Sequence, residues 1–263
     1  MVEANESSGL ILASTPRPGT RVLTLNRPEK RNALSQDLIK QLLLELGRAD
    51  GDRDICAIII TGSEGFFSAG ADIKEISKLD AEDARRVRYL EGLCDGVRKV
   101  RKPVIMAVEG KALGGGFELA LMADFIIGTP ATEFRLPETS VGLIPGAGGT
   151  QRLTSILGKY RAMRVILLGE PLSGTEAQTL GLVSTLKEPG KALEGALDLA
   201  GRLVSRSSSA ISLAKEAICR ADELGQDEQF ERLLYYTAFG TKDKREGVSA
   251  FLEKRSPVWD QPE

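Results

Sequence analysis

Histidine is absent from the 263 residues of this chain. Its absence excludes a Ser-His-Asp or Cys-His nucleophile, a histidine-ligated zinc ion and an HExxH metal site. Acid and base chemistry must therefore fall on Asp, Glu, Lys, Tyr or Cys side chains. Cysteine is scarce as well. Because Cys56, Cys94 and Cys219 stand far apart without a CxxC pairing, we expect neither a disulfide framework nor a metal site, and a reducing compartment fits best.

The chain also lacks an excess of charge of either sign. Lys and Arg number 35 and Asp and Glu 37, for a formal net charge of -2, so composition gives no reason to expect nucleic acid or an anionic membrane as partner. No apolar run approaches the ~20 residues of a membrane span. The N-terminal MVEANESSG has the character of neither a secretory signal nor a transit peptide. We therefore expect a soluble intracellular protein of the cytoplasm or the mitochondrial matrix.

Short apolar strands alternate with helical patterns through the first two-thirds of the chain. This rhythm predicts an α/β fold with a largely parallel sheet and helices around it. A long charged helix is predicted over residues 81–101, and Pro103 stops it from continuing. The other main predictions are a hairpin over residues 10–15 and 21–26, strands over 56–62, 104–108 and 124–129, a helix capped by Ser35 and another that begins near Asp72.

Strand patterns stop at about residue 190, and the rest of the chain has helical periodicity with apolar faces. We therefore divide the chain into a core over residues 1–195 and a C-terminal helical region over residues 196–263. The apolar stripes of that region suit either a core of its own or another subunit. Phe239 and Phe251, within it, are expected to serve packing.

Glycine-rich backbone leads into a helix in FFSAGADIKE (66–75) and in GKALGGGFELA (110–120). The N–H groups at a helix start lack internal partners, so two of them from separate loops can hold a thioester oxygen that becomes an enolate. A second interpretation stays open, in which Gly114–Gly116 only allow a close helix crossing and Asp72 only caps a turn. Leu119 stands where GxGxxG requires glycine, which disfavours a dinucleotide site.

Two glutamates lie in otherwise apolar surroundings, Glu118 in FELALMA and Glu138 in RLPETSVGLIPG. A single glutamate in such a segment is more often an interface residue or a helix cap than a catalytic group. Together in a desolvated cleft they cannot both ionise easily, so one acts as an acid while its partner stays a base. In a chain without histidine, this is the most credible acid and base pair.

A third glycine segment, IPGAGGTQR (144–152), also precedes a helical run. Its N–H groups either orient a water or a carboxylate, or Gly146 and Gly148 merely allow a tight turn. The basic side chains of Lys30, Arg31, Lys74 and Lys254 are either phosphate ligands or ordinary solvated surface residues.

These segments resemble the enoyl-CoA hydratase/isomerase family, the crotonase superfamily, over nearly the whole chain. The resemblance implies a spiral of ββα units followed by helices that form a homotrimer, commonly stacked as a dimer of trimers. It also implies an acyl-CoA substrate and no cofactor or metal, since coenzyme A is part of the substrate. The matching motifs are LNRPEKRNALS (25–35), FFSAGADIKE (66–75), KPVIMAVEGKALGGGFELALMADF (102–125), LPETSVGLIPGAGGTQRL (136–153), LSGTEAQTLGLV (172–183) and REGVSAFLEKR (245–255).

The resemblance also assigns roles to individual residues. The backbone N–H groups of Ala71 and Gly115 form the oxyanion hole for the thioester carbonyl. Glu118 activates the water that attacks Cβ, Glu138 protonates Cα, and Gly146 lies near the water. The residues implied at the coenzyme A end are Lys30, Arg31, Ala69, Gly70, Asp72, Ile73, Lys74 and Gly114, with Phe251 and Lys254 from a neighbouring subunit.

Because both glutamates are present, the resemblance favours 2-enoyl-CoA hydration within fatty acid and lipid metabolism. Phe117 and Thr139–Val141 depart from many short-chain hydratases and leave the acyl chain open. Three alternatives remain: a methylglutaconyl-type hydratase, an enoyl-CoA isomerase and an RNA-binding protein on the same fold. The balanced composition argues against RNA.

Overall fold

The computed structural model describes residues 9–223 and 227–258, in which strands alternate with helices. The strands are β1 (Ile11–Arg17), β2 (Thr20–Leu25), β3 (Ala57–Gly62), β4 (Val104–Ala107), β5 (Lys111–Leu113), β6 (Phe125–Gly128), β7 (Glu133–Arg135), β8 (Leu172–Ser173) and β9 (Thr185–Leu186). The helices are α1 (Gln36–Gly51), α2 (Ile73–Ile76), α3 (Ala81–Arg86), α4 (Glu91–Arg98), α5 (Gly115–Leu121), α6 (Gly149–Leu157), α7 (Lys159–Leu167), α8 (Gly174–Thr179), α9 (Ala192–Val204), α10 (Ser208–Glu223), α11 (Glu228–Phe239) and α12 (Lys242–Glu253).

Six strands form the main sheet in the order β1-β2-β3-β4-β6-β9. The pair β1 and β2 is antiparallel and the other neighbours are parallel, which confirms the predicted hairpin and the largely parallel sheet. Because both faces are covered, the central strands β3 and β4 are apolar except for Thr61, whose hydroxyl donates to the carbonyl of Ala107. Ile59 clusters with Ala196 and Ala200 of α9, while Ile58 and Ile60 belong to the core on the side of α1.

A second, small sheet joins β5, β7 and β8. Single bridges connect Ser68 with Ala112 and Leu34 with Ala71. The Ser68 N–H donates to the carbonyl of Lys111 at 3.1 Å, and the Leu113 N–H donates to the carbonyl of Ser68 at 2.9 Å. The two predicted glycine loops therefore lie side by side.

The predicted helix caps are present, but the predicted long helix is wrong. The hydroxyl of Ser35 accepts from the Leu38 N–H, and the carboxylate of Asp72 accepts from the Lys74 N–H at 3.0 Å. Residues 81–101 form two short helices, α3 and α4. Between them Leu90 adopts a left-handed φ of 65° and is buried, 4% exposed, like the preceding Tyr89. Burial of these two side chains outweighs the local helical preference.

Helix α12 of the C-terminal region packs against two segments of the core. In α12, the buried Lys244 ammonium donates to the carbonyl of Ile76, the last residue of α2, at 2.8 Å and to that of Leu79 at 2.7 Å. A Cβ at Gly247 would lie 2.6 Å from the carbonyl carbon of Val141, so α12 also packs tightly on the 3-10 turn that begins at Glu138.

Helix α9 runs across residue 195, and the division of the chain there stays a prediction. Within the described residues, no helix combines the length and the apolarity needed to cross a membrane.

Candidate active site

Two N–H groups at the starts of α2 and α5 lie next to each other. Each follows a glycine with positive φ, Gly70 at 86° before Ala71 and Gly114 at 50° before Gly115. A Cβ at Gly70 would lie 2.6 Å from the Leu113 carbonyl oxygen and 3.0 Å from the Gly115 nitrogen. Only glycine allows this conformation and this approach of one loop to the other.

Neither of these N–H groups, Ala71 or Gly115, donates a hydrogen bond to any described residue. A Cβ on Gly115 would lie 3.3 Å from the Ala71 nitrogen, which places the two donors within reach of one oxygen atom. Such a pair of available main-chain donors is the arrangement expected of an oxyanion hole.

Glu118 lies on α5, one turn after Gly114, and is 2% exposed. Its Oε1 accepts hydrogen bonds from the N–H groups of Ala147 at 2.7 Å and Gly149 at 2.9 Å, where the glycine segment enters α6. A Cβ at Gly149 would lie 2.8 Å from this oxygen. The glycine therefore lets the backbone approach the carboxylate, which is one of the two roles that the sequence left open for the third glycine segment.

Glu138 begins the 3-10 turn Glu138–Val141. Its Oε1 would be 2.9 Å from a Cβ on Gly114, so the carboxyl group lies beside the start of α5. Its Oε2 is enclosed and has no hydrogen-bond partner in the described part of the chain. An enclosed carboxyl oxygen without a partner is costly for the ionised form.

These environments change the pKa of both glutamates. Burial raises the pKa of Glu118 to about 7, the carboxylate of Glu231 adds to the rise, and the two N–H donors oppose it. Burial also raises the pKa of Glu138 well above its ordinary 4.5, with Glu118 and Glu231 adding to the rise. Because Glu118 has donors for its charged form and the Oε2 of Glu138 has none, Glu138 keeps its proton to higher pH.

Helix α11 contributes residues that the sequence analysis missed. A Cβ at Gly146 would lie 2.3 Å from the Tyr235 ring, so Gly146 is required by this ring. The buried Glu231 carboxylate accepts from the N–H groups of Gly148 at 2.6 Å and Thr150 at 2.8 Å. The available signal was the spacing of Glu231, Tyr235 and Phe239, which puts a glutamate on the apolar face of the helix.

The residues predicted for the coenzyme A end fall into two groups, one around the Gly70 loop and the start of α2 and the other at the end of α12. The exposed Lys30 and Arg31 stand beside the Gly70 loop, since the carbonyl of Arg31 accepts from the Ala69 N–H at 2.9 Å. Lys74 is exposed, and Ile73 is half-buried at the start of α2. At the end of α12, Phe251 is 59% exposed and Lys254 is also exposed.

Asp72 is already engaged within the chain. Besides capping α2, its carboxylate forms an ion pair with Arg27 at 2.7 Å. Burial opposes the charge of Asp72, but this pair and the N–H donors of the helix start outweigh it and lower its pKa. Arg27 therefore fixes the segment that carries Ala71, a contact that the sequence analysis did not predict.

Within residues 9–223 and 227–258, no group of three or more His, Cys, Asp or Glu side chains is arranged to hold a metal ion.

Residues 17–262 match the sequence model of the family described as Enoyl-CoA hydratase/isomerase. The chain is 46% identical over 236 residues to a Rhizobium meliloti protein named probable enoyl-CoA hydratase, covering 89% of this chain and 91% of that one. It is 41% identical to the mitochondrial enoyl-CoA hydratase of Pongo abelii, covering 89% and 81%. A crystal structure of enoyl-CoA hydratase from Bacillus anthracis matches with a TM-score of 0.77 at 35% identity, covering 95% and 98%.

The chain therefore belongs to the enoyl-CoA hydratase/isomerase family, an enzyme family that acts on acyl-CoA substrates. This confirms the predicted membership and the predicted crotonase-type α/β fold with helices at its C-terminal end.

Proposed function

We propose that this protein is an enoyl-CoA hydratase, a hydro-lyase that reversibly adds water across the 2,3 double bond of a 2-enoyl-CoA thioester to give a 3-hydroxyacyl-CoA. One observation carries the proposal: the adjacent N–H groups of Ala71 and Gly115 lie in the same region as the buried Glu118 and the half-buried Glu138, whose Oε2 is enclosed. The names of the relatives support the same reaction.

In the proposed reaction, the thioester oxygen accepts hydrogen bonds from the N–H groups of Ala71 and Gly115. These donors polarise the conjugated double bond and stabilise the enolate that forms. Ionised Glu118 takes a proton from water as the water oxygen bonds to C3, and protonated Glu138 delivers its proton to C2. The step leaves Glu118 protonated and Glu138 ionised, and proton exchange with solvent restores both groups. The net change is the addition of one water, and the reverse sequence eliminates it.

The raised pKa values fit this division of labour. Near neutral pH, a glutamate with a pKa of about 7 is substantially ionised and is still a good proton acceptor. The pKa of Glu138 is raised well above 4.5, which favours the protonated form that the delivery to C2 requires. Gly146 would then act indirectly, by admitting Tyr235 beside the water site.

Several finer statements belong to the same proposal. Lys30, Arg31 and the backbone of residues 69–74 would contact coenzyme A, with Phe251 and Lys254 reaching it from a second subunit. The exposed apolar side chains of the C-terminal helices, Leu213 and Ile218 among them, would be covered in a homotrimer or a dimer of trimers. The enzyme would work without a separate cofactor in fatty acid metabolism, in the cytoplasm or the mitochondrial matrix.

A substrate panel followed at the enoyl-thioester absorbance tests the proposal. Crotonyl-CoA, longer 2-enoyl-CoA and branched 2-enoyl-CoA thioesters would be compared, because each methylene contact contributes about 1–3 kcal/mol to discrimination. We expect Glu118→Gln and Glu138→Gln each to lower kcat by about 10²–10⁴ with acyl-CoA binding retained. Near-normal turnover in either variant would refute the role of that residue, and no hydration of any thioester by the unaltered protein would refute the function.

A further inference from the structure

Four consecutive N–H groups at the start of α6 are shared between two carboxylates from different parts of the chain. Those of Ala147 and Gly149 donate to Glu118, and those of Gly148 and Thr150 donate to Glu231. The donors alternate along the backbone. A displacement of either carboxylate therefore moves the donors of the other.

Glu231 is fully engaged by this helix start. It is 1% exposed, its Oε1 accepts from the Gly148 N–H, and its Oε2 accepts from both the N–H and the hydroxyl of Thr150. Its two oxygens are thus held by the backbone and by Thr150. Glu231 can therefore affect the site without contacting a substrate or a water.

Glu231 also has an electrostatic effect on Glu118. Two carboxylates on one set of donors repel each other, and Glu231 is the charged neighbour that raises the pKa of Glu118 most, after burial itself. The other titratable or charged groups near Glu118 are Arg232 and Tyr235 on α11, Glu138 in its 3-10 turn, Cys94 on α4, and Arg152 on α6, which donates to the Ala147 carbonyl.

We propose that Glu231 is a positioning residue that acts on Glu118 through the shared N–H groups of residues 147–150, by its reach and by its charge. The proposal rests on the role given to Glu118 above. Under this proposal, the residue that controls the base lies on α11, 113 residues after Glu118 in the chain. The charge of Glu231 keeps Glu118 protonated to higher pH, and its reach keeps the donors of α6 in place.

The dependence of kcat/KM on pH tests the two parts separately. Glu231→Gln keeps the size of the side chain and removes its charge, so we expect the acid limb of the profile to move down by about one pH unit. Glu231→Asp keeps the charge but is one methylene shorter. We expect its acid limb to stay near that of the unaltered protein while kcat falls about tenfold, because the donors are displaced.

The control is Glu194→Gln, which removes a carboxylate that pairs with Lys191 on the surface of α9 and should change neither quantity. An acid limb that stays in place in folded Glu231→Gln would overturn the electrostatic part. A normal kcat in Glu231→Asp would overturn the positioning part, and this variant still tests that part if Glu231→Gln does not fold. A loss of stability alone would lower the amount of active protein without moving the acid limb.

Glu118→Gln, measured in parallel, keeps this test apart from the proposed function. If Glu118→Gln retains turnover, the assignment of the base fails. If Glu118→Gln is inactive and the Glu231 variants behave like the unaltered protein, only the role of Glu231 fails.

Discussion

Two parts of the site have the same local construction and use it in opposite ways. At the starts of α2 and α5, glycine-rich loops leave the Ala71 and Gly115 N–H groups without a partner in the described residues. At the start of α6, another glycine-rich loop has its N–H groups taken by Glu118 and Glu231. We call the first pair the open donors and the second set the filled donors.

The difference lies in what reaches the donors from elsewhere in the chain. Glycine provides close approach in both places, and helix starts provide partners for negative oxygen in both. Carboxylates of α5 and α11 reach the filled donors and accept hydrogen bonds from them. No carboxylate of the described residues accepts from the open donors, which the proposed function assigns to the thioester oxygen of the substrate.

The largest effect is expected from Gly70→Ala, which adds a methyl group between the two loops that carry the open donors. Alanine in Gly70→Ala would place its Cβ 2.6 Å from the Leu113 carbonyl oxygen, so the two loops must separate. The loss of one oxyanion-hole donor lowers kcat by about 10²–10³, and we expect at least that in a hydration assay.

The matched control is Gly181→Ala, where φ is 81° and no atom lies within 4 Å of the added Cβ. Backbone strain of about 1–2 kcal/mol is common to both variants and should lower Tm similarly. Full activity in Gly70→Ala, or an equal loss in Gly181→Ala, would contradict a specific role for the open donors.

A smaller effect is expected from the same substitution in the filled donors. In Gly149→Ala, the Cβ would lie 2.8 Å from Oε1 of Glu118, which must move while the open donors remain intact. We expect kcat to fall about tenfold or more with KM little changed, as for a base out of position. Gly201→Ala, on α9 with open space around it, serves as the control. A raised KM with normal kcat would show that the filled donors act on binding.

The stability of the protein should depend on pH because Glu118 is buried. Unfolded glutamate has a pKa of about 4.3, whereas that of Glu118 is about 7 in the folded protein. Between these values the folded state binds more protons than the unfolded state, so the free energy of unfolding falls as pH rises.

Glu118→Gln removes this contribution. The variant should gain Tm relative to the unaltered protein between pH 5 and pH 8, by about 2–4 °C for each kcal/mol. Thermal unfolding followed by circular dichroism at several pH values measures the difference. Parallel Tm curves would mean that Glu118 is not held protonated by burial.

The smallest effect is expected from Thr150→Val. The substitution removes the hydroxyl donor of Thr150 to Glu231 and leaves all four N–H donors of the filled set. We expect a loss of about 1 kcal/mol in unfolding free energy and at most a few-fold loss in kcat. Urea unfolding and a hydration assay measure both. A loss as large as that of Gly70→Ala would erase the distinction between the two sets of donors.

Much of the fold was accessible from local sequence signals. The apolar run of β3 and the Ser35 cap of α1 depend on neighbouring residues, and both were predicted. The break between α3 and α4 was not. The charged periodicity there is helical, and only burial of Tyr89 and Leu90 in the core produces the left-handed turn.

The candidate site also has parts that local sequence predicts and parts that depend on distant residues. The glycine segments and the two glutamates are visible because their residue types are unusual for their surroundings. Glu231 and Tyr235 reach the site from α11, more than 80 residues beyond the loop that they contact, and local pattern predicts only a helix with an apolar face. Arg27 and Asp72 are likewise 45 residues apart in the chain, so local pattern does not predict their ion pair.

The most direct test is a crystal structure of Glu138→Gln with a bound 2-enoyl-CoA, which the variant should turn over too slowly to consume. We predict the thioester oxygen about 2.7–3.1 Å from both the Ala71 and the Gly115 nitrogens, with the Glu118 carboxylate facing C3 across a water. A thioester oxygen bound elsewhere, with the two N–H groups making no contact to it, would contradict the account.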